Sequence, residues 1–287
     1  MRQNNPVTAP RLAPADVYAA VDAALAEDVG NGDITTQAIV PDAARMRLVM
    51  VTRQPIVVAG LPVAVETFKR LDRESDIKID AIDGSRLDSG ATIARIEGLA
   101  APLLSAERTA LNFVQSLSGI ATLTRKFADR IAGTGAVLLD TRKTLPGLRN
   151  LSKYATAVGG ATNHRMRLDD GVLIKDNHIA VAGSAAEAIR RAKAKGLKNV
   201  QIECDTLDQV RQSLAAGADR LLLDNMSPEM LREAVAIAAG RVPLEASGGV
   251  TLETIRSIAE TGVDFISVGA ITMSAPAVDI GLDLAND

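Results

Sequence analysis

The chain of 287 residues contains one cysteine, two histidines and no long apolar run. A single cysteine, Cys204, excludes an intramolecular disulfide and any zinc site built from several cysteines. No segment reaches the roughly 18 consecutive apolar residues that indicate a membrane-spanning helix, and residues 1–15 lack the apolar centre of a signal peptide. We therefore expect a cytoplasmic protein that does not associate with membranes.

The chain also lacks an excess of positive charge. It contains 32 lysines and arginines and 35 aspartates and glutamates, for a formal net charge of −3. A protein with this charge balance is not expected to bind nucleic acid. The segment from Asp140 to His178 differs from the rest, with seven lysines and arginines against four aspartates. A basic segment within an acidic chain indicates a small anionic ligand.

Short apolar runs alternate with helical patterns through the second half of the chain. The runs end near Asp140, Lys175, Glu203, Asp224, Ser247 and Gly269. Serine or threonine caps precede several of the helical patterns, and glycines follow them. Repeated strand–helix units predict an α/β protein with a parallel sheet buried on both faces. With at least six units, the pattern favours a β/α barrel, and a doubly wound open sheet is the alternative.

The first part of the chain combines helical patterns with strand-like segments. Its pattern from Asp83 to Gly98 is similar to the hairpins of lipoyl and biotinyl carriers, but no lysine stands between Arg86 and Gly98 to be modified. We therefore expect a purely structural α/β sandwich. The predicted domains are residues 1–116 for the sandwich and 117–275 for the barrel, with the tail 276–287 joining the sandwich.

Basic residues are concentrated where the predicted strands end. In parallel α/β folds, ligands bind at the carboxyl ends of the strands. The basic side chains predicted to meet there are Arg142, Lys143, His164, Arg165 and Lys175. Most lysines and arginines form surface ion pairs, but Arg142 and Lys143 directly follow an apolar strand and Lys175 interrupts one. Charges in such places need a partner, and a carboxylate or phosphate ligand is the favoured one.

Two acids, Glu203 and Asp224, end successive apolar runs beside this basic region. Either acid alone could be a helix cap or an ion-pair partner. Together they suit a divalent cation bridged to phosphate oxygens, or the stabilisation of a cationic transition state.

Small residues follow the last two predicted strands, at Ser247–Gly248–Gly249 and at Gly269–Ala270. The first of these turns is expected to lead into a helix that starts near Thr251. Backbone N–H groups of such turns bind phosphate in many barrel enzymes. The two histidines fit no common zinc motif. His178 is expected to form hydrogen bonds within its own loop, and His164 is the better site candidate.

Several segments, in order and spacing, resemble the quinolinate phosphoribosyltransferase family: EDVGNGDITT, ERTALNF, LLDTRKTLPGLR, GGATNHR, LIKDNHI, QIECD, LLLDN, LEASGG and ISVGAIT. The resemblance covers the chain from about residue 12 to residue 284. It implies an N-terminal α/β sandwich followed by an incomplete β/α barrel, in a homodimer or higher oligomer. It also implies that quinolinate and phosphoribosyl pyrophosphate react, with Mg²⁺, to give nicotinate mononucleotide, pyrophosphate and CO2.

The resemblance also assigns roles by position. Quinolinate binding falls to Arg108, Thr141, Arg142, His164 and Arg165, with Arg108 passed into the neighbouring subunit's site. The implied catalytic residues are Lys143 and Lys175, which face the substrates' phosphates and carboxylate, and Glu203 and Asp224, which face the ribose and Mg²⁺. The 5′-phosphate is assigned to Ser247, Gly248, Gly249, Gly269 and Ala270.

Two segments depart from the family's pattern. Residues 158–161 read Val-Gly-Gly-Ala where the family commonly has Cys-Gly-Gly-Gly, and Met273 stands where it commonly has histidine. Three alternatives remain open. The first is a relative on the same scaffold, associated with molybdenum transport or specific for nicotinate. The second is a barrel lyase or isomerase with a Schiff base at Lys175 or Lys143. The third is a non-catalytic anion-binding protein, against which the paired acids argue.

Overall fold

A computed structural model describes residues 12–285. The first half of the chain contains α1 (Pro14–Asp28), α2 (Ile34–Ile39), β1 (Arg45–Thr52), β2 (Ile56–Val57), α3 (Leu61–Leu71), β3 (Asp76–Ile79), β4 (Arg86–Leu87), β5 (Thr92–Leu99), α4 (Ala100–Arg130) and β6 (Val137–Leu139). The second half contains α5 (Arg149–Gly159), β7 (Leu173–Ile174), α6 (Asp176–Ala182), α7 (Ala185–Ala194), β8 (Gln201–Cys204), α8 (Leu207–Ala215), β9 (Arg220–Asp224), α9 (Pro228–Ala238), β10 (Leu244–Ser247), α10 (Ile255–Ala259), β11 (Phe265–Ser267), α11 (Ala270–Met273) and β12 (Ile280–Leu284).

These elements form two units. The first comprises Met1–Arg125, Thr144–Gly160 and Ile271–Asp287, and the second comprises Lys126–Lys143 and Ala161–Ala270. No helix among residues 12–285 combines the length and the hydrophobicity needed to cross a membrane.

The first unit contains a four-stranded sheet in the order β12-β1-β5-β3, whose neighbouring strands are antiparallel. Alternate residues of β1 are buried, as expected for a strand with one face on a core. That core joins Met50 of β1 and Ile96 of β5 to Phe68 of α3 and Leu103 of α4. The tail of the chain belongs to this unit, because β12 pairs with β1 from Leu48↔Leu284 to Thr52↔Ile280.

The second unit contains a six-stranded parallel sheet in the order β6-β11-β10-β9-β8-β7. Strands β7 to β11 follow one another in sequence order, and β6 joins beyond β11. A doubly wound sheet would reverse its order partway across, so this alternative is wrong and the barrel prediction is confirmed. The barrel is incomplete, since β6 and β7 are not paired with each other among the described residues. Leu139 of β6 instead bridges Thr162 in parallel.

Three helices of this unit, α7, α8 and α9, begin where local sequence signals predicted. Thr206 and Gln209 form a reciprocal capping box at α8, and the Ser184 and Ser227 side chains accept backbone N–H groups at α7 and α9. The glycines after the helices adopt positive φ, with values of 75° at Gly196 and 79° at Gly217. Glycine is favoured there because it has no Cβ to clash in the left-handed region.

The two faces of the parallel sheet differ in polarity. Residues in register point to the same face, so the pairings Glu203↔Leu222 and Leu222↔Glu245 place both glutamates on the same face. The opposite face is formed by apolar residues that are fully or almost fully buried, namely Ile202, Leu221, Leu223, Ala246 and Ile266. Because the apolar face is covered, the charged strand residues collect on the polar face, which is the interior of the barrel.

Candidate active site

Two guanidinium groups of the second unit lie close to each other. Arg142 follows β6, and Arg165 lies in the segment after Thr162, where its Nη1 donates to the Gly171 carbonyl at 2.8 Å. Burial lowers the pKa of Arg165 below the ordinary value of arginine, and the positive charge of Arg142 lowers it further, with Asp170 opposing both. A cation whose charge is destabilised by burial and by a second cation forms a site suited to an anion.

His164 is held by hydrogen bonds on its backbone and its ring. Its N–H donates to Oδ1 of the fully buried Asp140 at 2.8 Å, and Asn163 donates to Oδ2 at 2.7 Å. The ring Nδ1 accepts the N–H of Arg165 at 2.8 Å. The ring Nε2 lies 3.4 Å from Oε2 of Glu245. The sequence indicates only that Asp140 ends a strand. In the structure, Asp140 also orients this loop through these hydrogen bonds.

Lys175 lies at the end of β7 and forms an ion pair with the neighbouring strand β8. Its Nζ is 2.8 Å from Oε2 of Glu203, at the end of β8. The backbone N–H of Lys175 donates to Nδ1 of His178 at 2.9 Å. The expected role of His178 in its own loop is therefore confirmed.

Three carboxylates gather beside this ion pair. Oxygen atoms of Glu203, Asp205 and Asp224 lie within 4.8 Å of one another. Sequence analysis named Glu203 and Asp224 but missed Asp205, whose only signal was its position two residues after Glu203. Lys175 offsets one negative charge, and the remaining charge and the all-oxygen donor set match the preferences of Mg²⁺.

The turn after β10 is closely packed against the loop after β9. Ser247 pairs in register with Asp224, and the Asn225 N–H donates to the Ser247 carbonyl at 2.9 Å. Gly248 has φ of 89°, and a Cβ there would lie 2.2 Å from Asn225 Oδ1. Only glycine fits this position, so the backbone of the turn stays uncovered by a side chain. Gly249 follows, also at positive φ.

The helix after this turn starts later than the sequence pattern indicated. We expected it near Thr251, but α10 begins at Ile255. Thr251 and Thr254 first close a turn, in which the Thr251 N–H donates to Thr254 Oγ1 at 3.0 Å. These local side-chain hydrogen bonds compete with helix formation.

The turn after β11 carries Gly269 and Ala270. A Cβ on Gly269 would lie 2.9 Å from Lys143 Cδ and 3.7 Å from Thr141 Oγ1. The side chains of Lys143 and Thr141, which follow β6, therefore lie against this turn. This contact brings the segment after β6 next to the end of β11.

All predicted site residues except one belong to the second unit. Arg108 is an exposed residue of α4 and belongs to the first unit.

The structure also shows the surroundings of the residues that depart from the family's pattern. Val158 and Ala161 are both buried, whereas Met273 is 59% exposed.

Sequence analysis missed Glu245, which lies in the middle of β10 and is fully buried. Its signal was a charge inside the apolar run VPLEAS, the same signal that drew attention to Lys175.

Comparison with known proteins covers both parts of the chain. The family model described as "Quinolinate phosphoribosyl transferase, N-terminal domain" matches residues 33–118, and that of the C-terminal domain matches residues 120–283. A Mycobacterium leprae protein named "Nicotinate-nucleotide pyrophosphorylase [carboxylating]" is 45% identical over 268 residues, covering 91% of this chain and 94% of its own length. A Bacillus subtilis protein with the same name, qualified as probable, is 41% identical and covers 90% of each chain. The solved structure of the nicotinate-nucleotide pyrophosphorylase from Francisella tularensis superposes with a TM-score of 0.91 at 40% identity, covering 99% of this chain and 100% of that one.

Proposed function

The chain belongs to the quinolinate phosphoribosyltransferase family, and we propose that the basic site of its second unit carries that family's reaction. The enzyme transfers the phosphoribosyl group of phosphoribosyl pyrophosphate to quinolinate with decarboxylation, giving nicotinate mononucleotide, pyrophosphate and CO2 for NAD biosynthesis. The observation that carries the assignment of the site is the closeness of Arg142 and Arg165. Two guanidinium groups suit a substrate with two adjacent carboxylates.

The quinolinate pocket is proposed to consist of Arg142 and Arg165, with Thr141 and His164 beside them. Arg108 is proposed to complete this pocket in the neighbouring subunit of a homodimer. A nicotinate-specific enzyme needs to hold only one carboxylate, and both curated relatives bear the name of the carboxylating pyrophosphorylase. The alternative of a relative with the same scaffold but a different substrate is therefore not favoured.

The phosphate groups are proposed to bind around the last two strands. The 5′-phosphate is assigned to backbone groups of the two small-residue turns, which comprise Ser247, Gly248, Gly249, Gly269 and Ala270. Lys143, which lies against Gly269, and Lys175 supply positive charge for the pyrophosphate and the carboxylates.

The cytoplasmic location expected from the sequence stays a proposal.

The reaction requires little acid–base chemistry from the protein. The ring nitrogen of quinolinate forms a bond to C1′ while the bond from C1′ to pyrophosphate breaks, and positive charge develops on the ribose. Glu203 and Asp224 are proposed to stabilise that charge. The ribosylated ring nitrogen is cationic, so loss of the adjacent carboxylate as CO2 leaves a stabilised ylide, which takes a proton from solvent. The site's abundance of cations fits two polyanionic substrates.

Mg²⁺ is proposed to bind at Glu203, Asp205 and Asp224, where the donor set fits a hard divalent cation. Bound there, it would neutralise the negative charge of the pyrophosphate. The chain's own acids would hold it, and Lys175 would keep Glu203 oriented through their ion pair.

The carboxylate pocket is tested by Arg142→Ala, with Arg167→Ala as the matched control. Arg167 is an exposed arginine paired with Asp169 at 3.2 Å. Removal of Arg142 is expected to lower kcat/KM for quinolinate by at least about 100-fold, because it leaves a substrate carboxylate unpaired. Arg167→Ala should stay within about twofold, as a surface pair contributes little. Equal kinetics of the Arg142 variant and the wild type would remove Arg142 from the site.

The metal site is tested by titrating Mn²⁺, a paramagnetic substitute for Mg²⁺, and measuring the free ion by electron paramagnetic resonance. Asp205→Asn and Asp224→Asn should each weaken binding by at least about tenfold, because affinity follows the number of charged ligands. The control is Asp208→Asn, since Asp208 is exposed and paired with Arg211. If all three variants bind Mn²⁺ like the wild type, the ion does not bind at these acids.

The shared site is tested by subunit complementation. Arg108→Ala and Arg165→Ala should each be inactive alone, but co-refolding equal amounts should restore about a quarter of wild-type activity, since half of the dimers would contain one intact site. The control pairs Arg108→Ala with a chain that carries both substitutions, which should stay inactive. Failure of the first mixture to recover activity, with dimers present by sedimentation, would mean that Arg108 serves its own subunit.

A further inference from the structure

Glu245 is a buried carboxylate inside the barrel, next to the proposed quinolinate pocket. Its register partners are Leu222 of β9 and Phe265 of β11. Glu203 of β8 also pairs with Leu222, so the two glutamates belong to the same layer of the barrel interior. Glu203 contacts Lys175 at the mouth, whereas Glu245 is fully buried. A buried carboxylate in such a place needs several donors.

All the donors that the described residues offer to Glu245 contact one of its oxygens, Oε2. Oε2 lies 2.8 Å from Gln201 Nε2, 2.7 Å from Arg220 Nη2 and 3.4 Å from His164 Nε2. Arg220 also lies over the Phe265 ring, 3.9 Å from its centre. The other oxygen, Oε1, is buried without a hydrogen-bond partner among residues 12–285. Although burial raises the pKa of Glu245, the hydrogen bonds of His164 and Gln201 and the charge of Arg220 lower it below the ordinary value.

The ring of His164 has a defined proton position. Since Nδ1 accepts the N–H of Arg165 at 2.8 Å, the ring proton lies on Nε2, which faces Glu245. A carboxylate that accepts the proton of one ring nitrogen fixes the tautomer and orientation of the imidazole. The other nitrogen then holds the peptide N–H of Arg165.

We infer that Glu245 is a positioning residue for quinolinate, acting through His164 to hold the Arg165 peptide in place. The inference rests on the proposed function of the Arg142–Arg165 pocket. Glu245 itself contacts no substrate in this account. It connects strands β8 and β9 to the loop that carries Arg165, and so fixes one side of the carboxylate pocket.

The test is Glu245→Gln, which keeps the size of the side chain and removes its charge. The amide oxygen can occupy the place of Oε2 and accept the same donors, and the NH2 group then occupies the place of Oε1, where no donor opposes it. The variant is therefore expected to fold. We expect KM for quinolinate to rise about tenfold, because a neutral amide oxygen holds the His164 N–H more weakly than a charged carboxylate does. KM for phosphoribosyl pyrophosphate and kcat should change less than about threefold.

A double-mutant cycle separates positioning from a structural role. In a His164→Ala background, Glu245→Gln should change KM for quinolinate by less than about twofold, because its effect passes through His164. The matched control is Gln201→Met, which removes another donor to Glu245 and leaves His164 untouched, and its KM for quinolinate should stay near that of the wild type. Multiplicative effects in the cycle, or an equal rise in the Gln201 variant, would overturn the inference.

A second readout does not depend on turnover. The chain has two histidines, so ¹⁵N-histidine labelling gives a simple spectrum. Both rings should carry their proton on Nε2, since Nδ1 of His178 also accepts a backbone N–H. Glu245→Gln should shift the Nε2 resonance of His164 and leave that of His178 unchanged. A proton on Nδ1 of His164, or an unshifted resonance, would contradict the inference. An inactive wild type would count against the proposed function instead, whereas an active wild type with unaltered KM in Glu245→Gln would overturn only the role of Glu245.

Discussion

Repulsion between like charges at the carboxyl ends of the parallel strands is the constraint on which the site depends. Arg142 lies close enough to Arg165 to lower its pKa, and oxygen atoms of three carboxylates after β8 and β9 lie within 4.8 Å of one another. The ion pair between Lys175 and Glu203 offsets part of the repulsion among the carboxylates. Such an arrangement becomes favourable when anions and a cation bind. The family's reaction supplies a dicarboxylate and a pyrophosphate ester, and we propose that Mg²⁺ is the cation.

The parallel sheet makes this concentration of charge compatible with folding. Its outer face is apolar and covered, so the strands themselves are anchored by burial. Its inner face then tolerates Glu203 and Glu245, because neighbouring strands supply donors at a fixed spacing. The turn after β10 depends on glycine in a similar way, because Gly248 lets Asn225 pack against the backbone. The site is thus a consequence of strand register more than of any one loop.

Local signals in the sequence predicted the features that depend on few neighbours. Helix caps such as Thr206 and the glycines after the helices were confirmed, and so was the choice of a barrel. The start of α10 was wrong because the hydrogen bonds of Thr251 and Thr254 form a turn in place of helix. Glu245 was missed because its donors come from two other strands and a distant loop, and only register brings them together. Asp205 was missed for the same reason, since its neighbour Asp224 lies on the next strand.

The most direct test of the central claim is the stoichiometry of products from quinolinate, phosphoribosyl pyrophosphate and Mg²⁺. CO2 and pyrophosphate should be released in equal amounts, and nicotinate offered in parallel should give neither, because it lacks the second carboxylate that we propose the paired arginines hold. Pyrophosphate release from nicotinate, or turnover of quinolinate without CO2, would contradict the account.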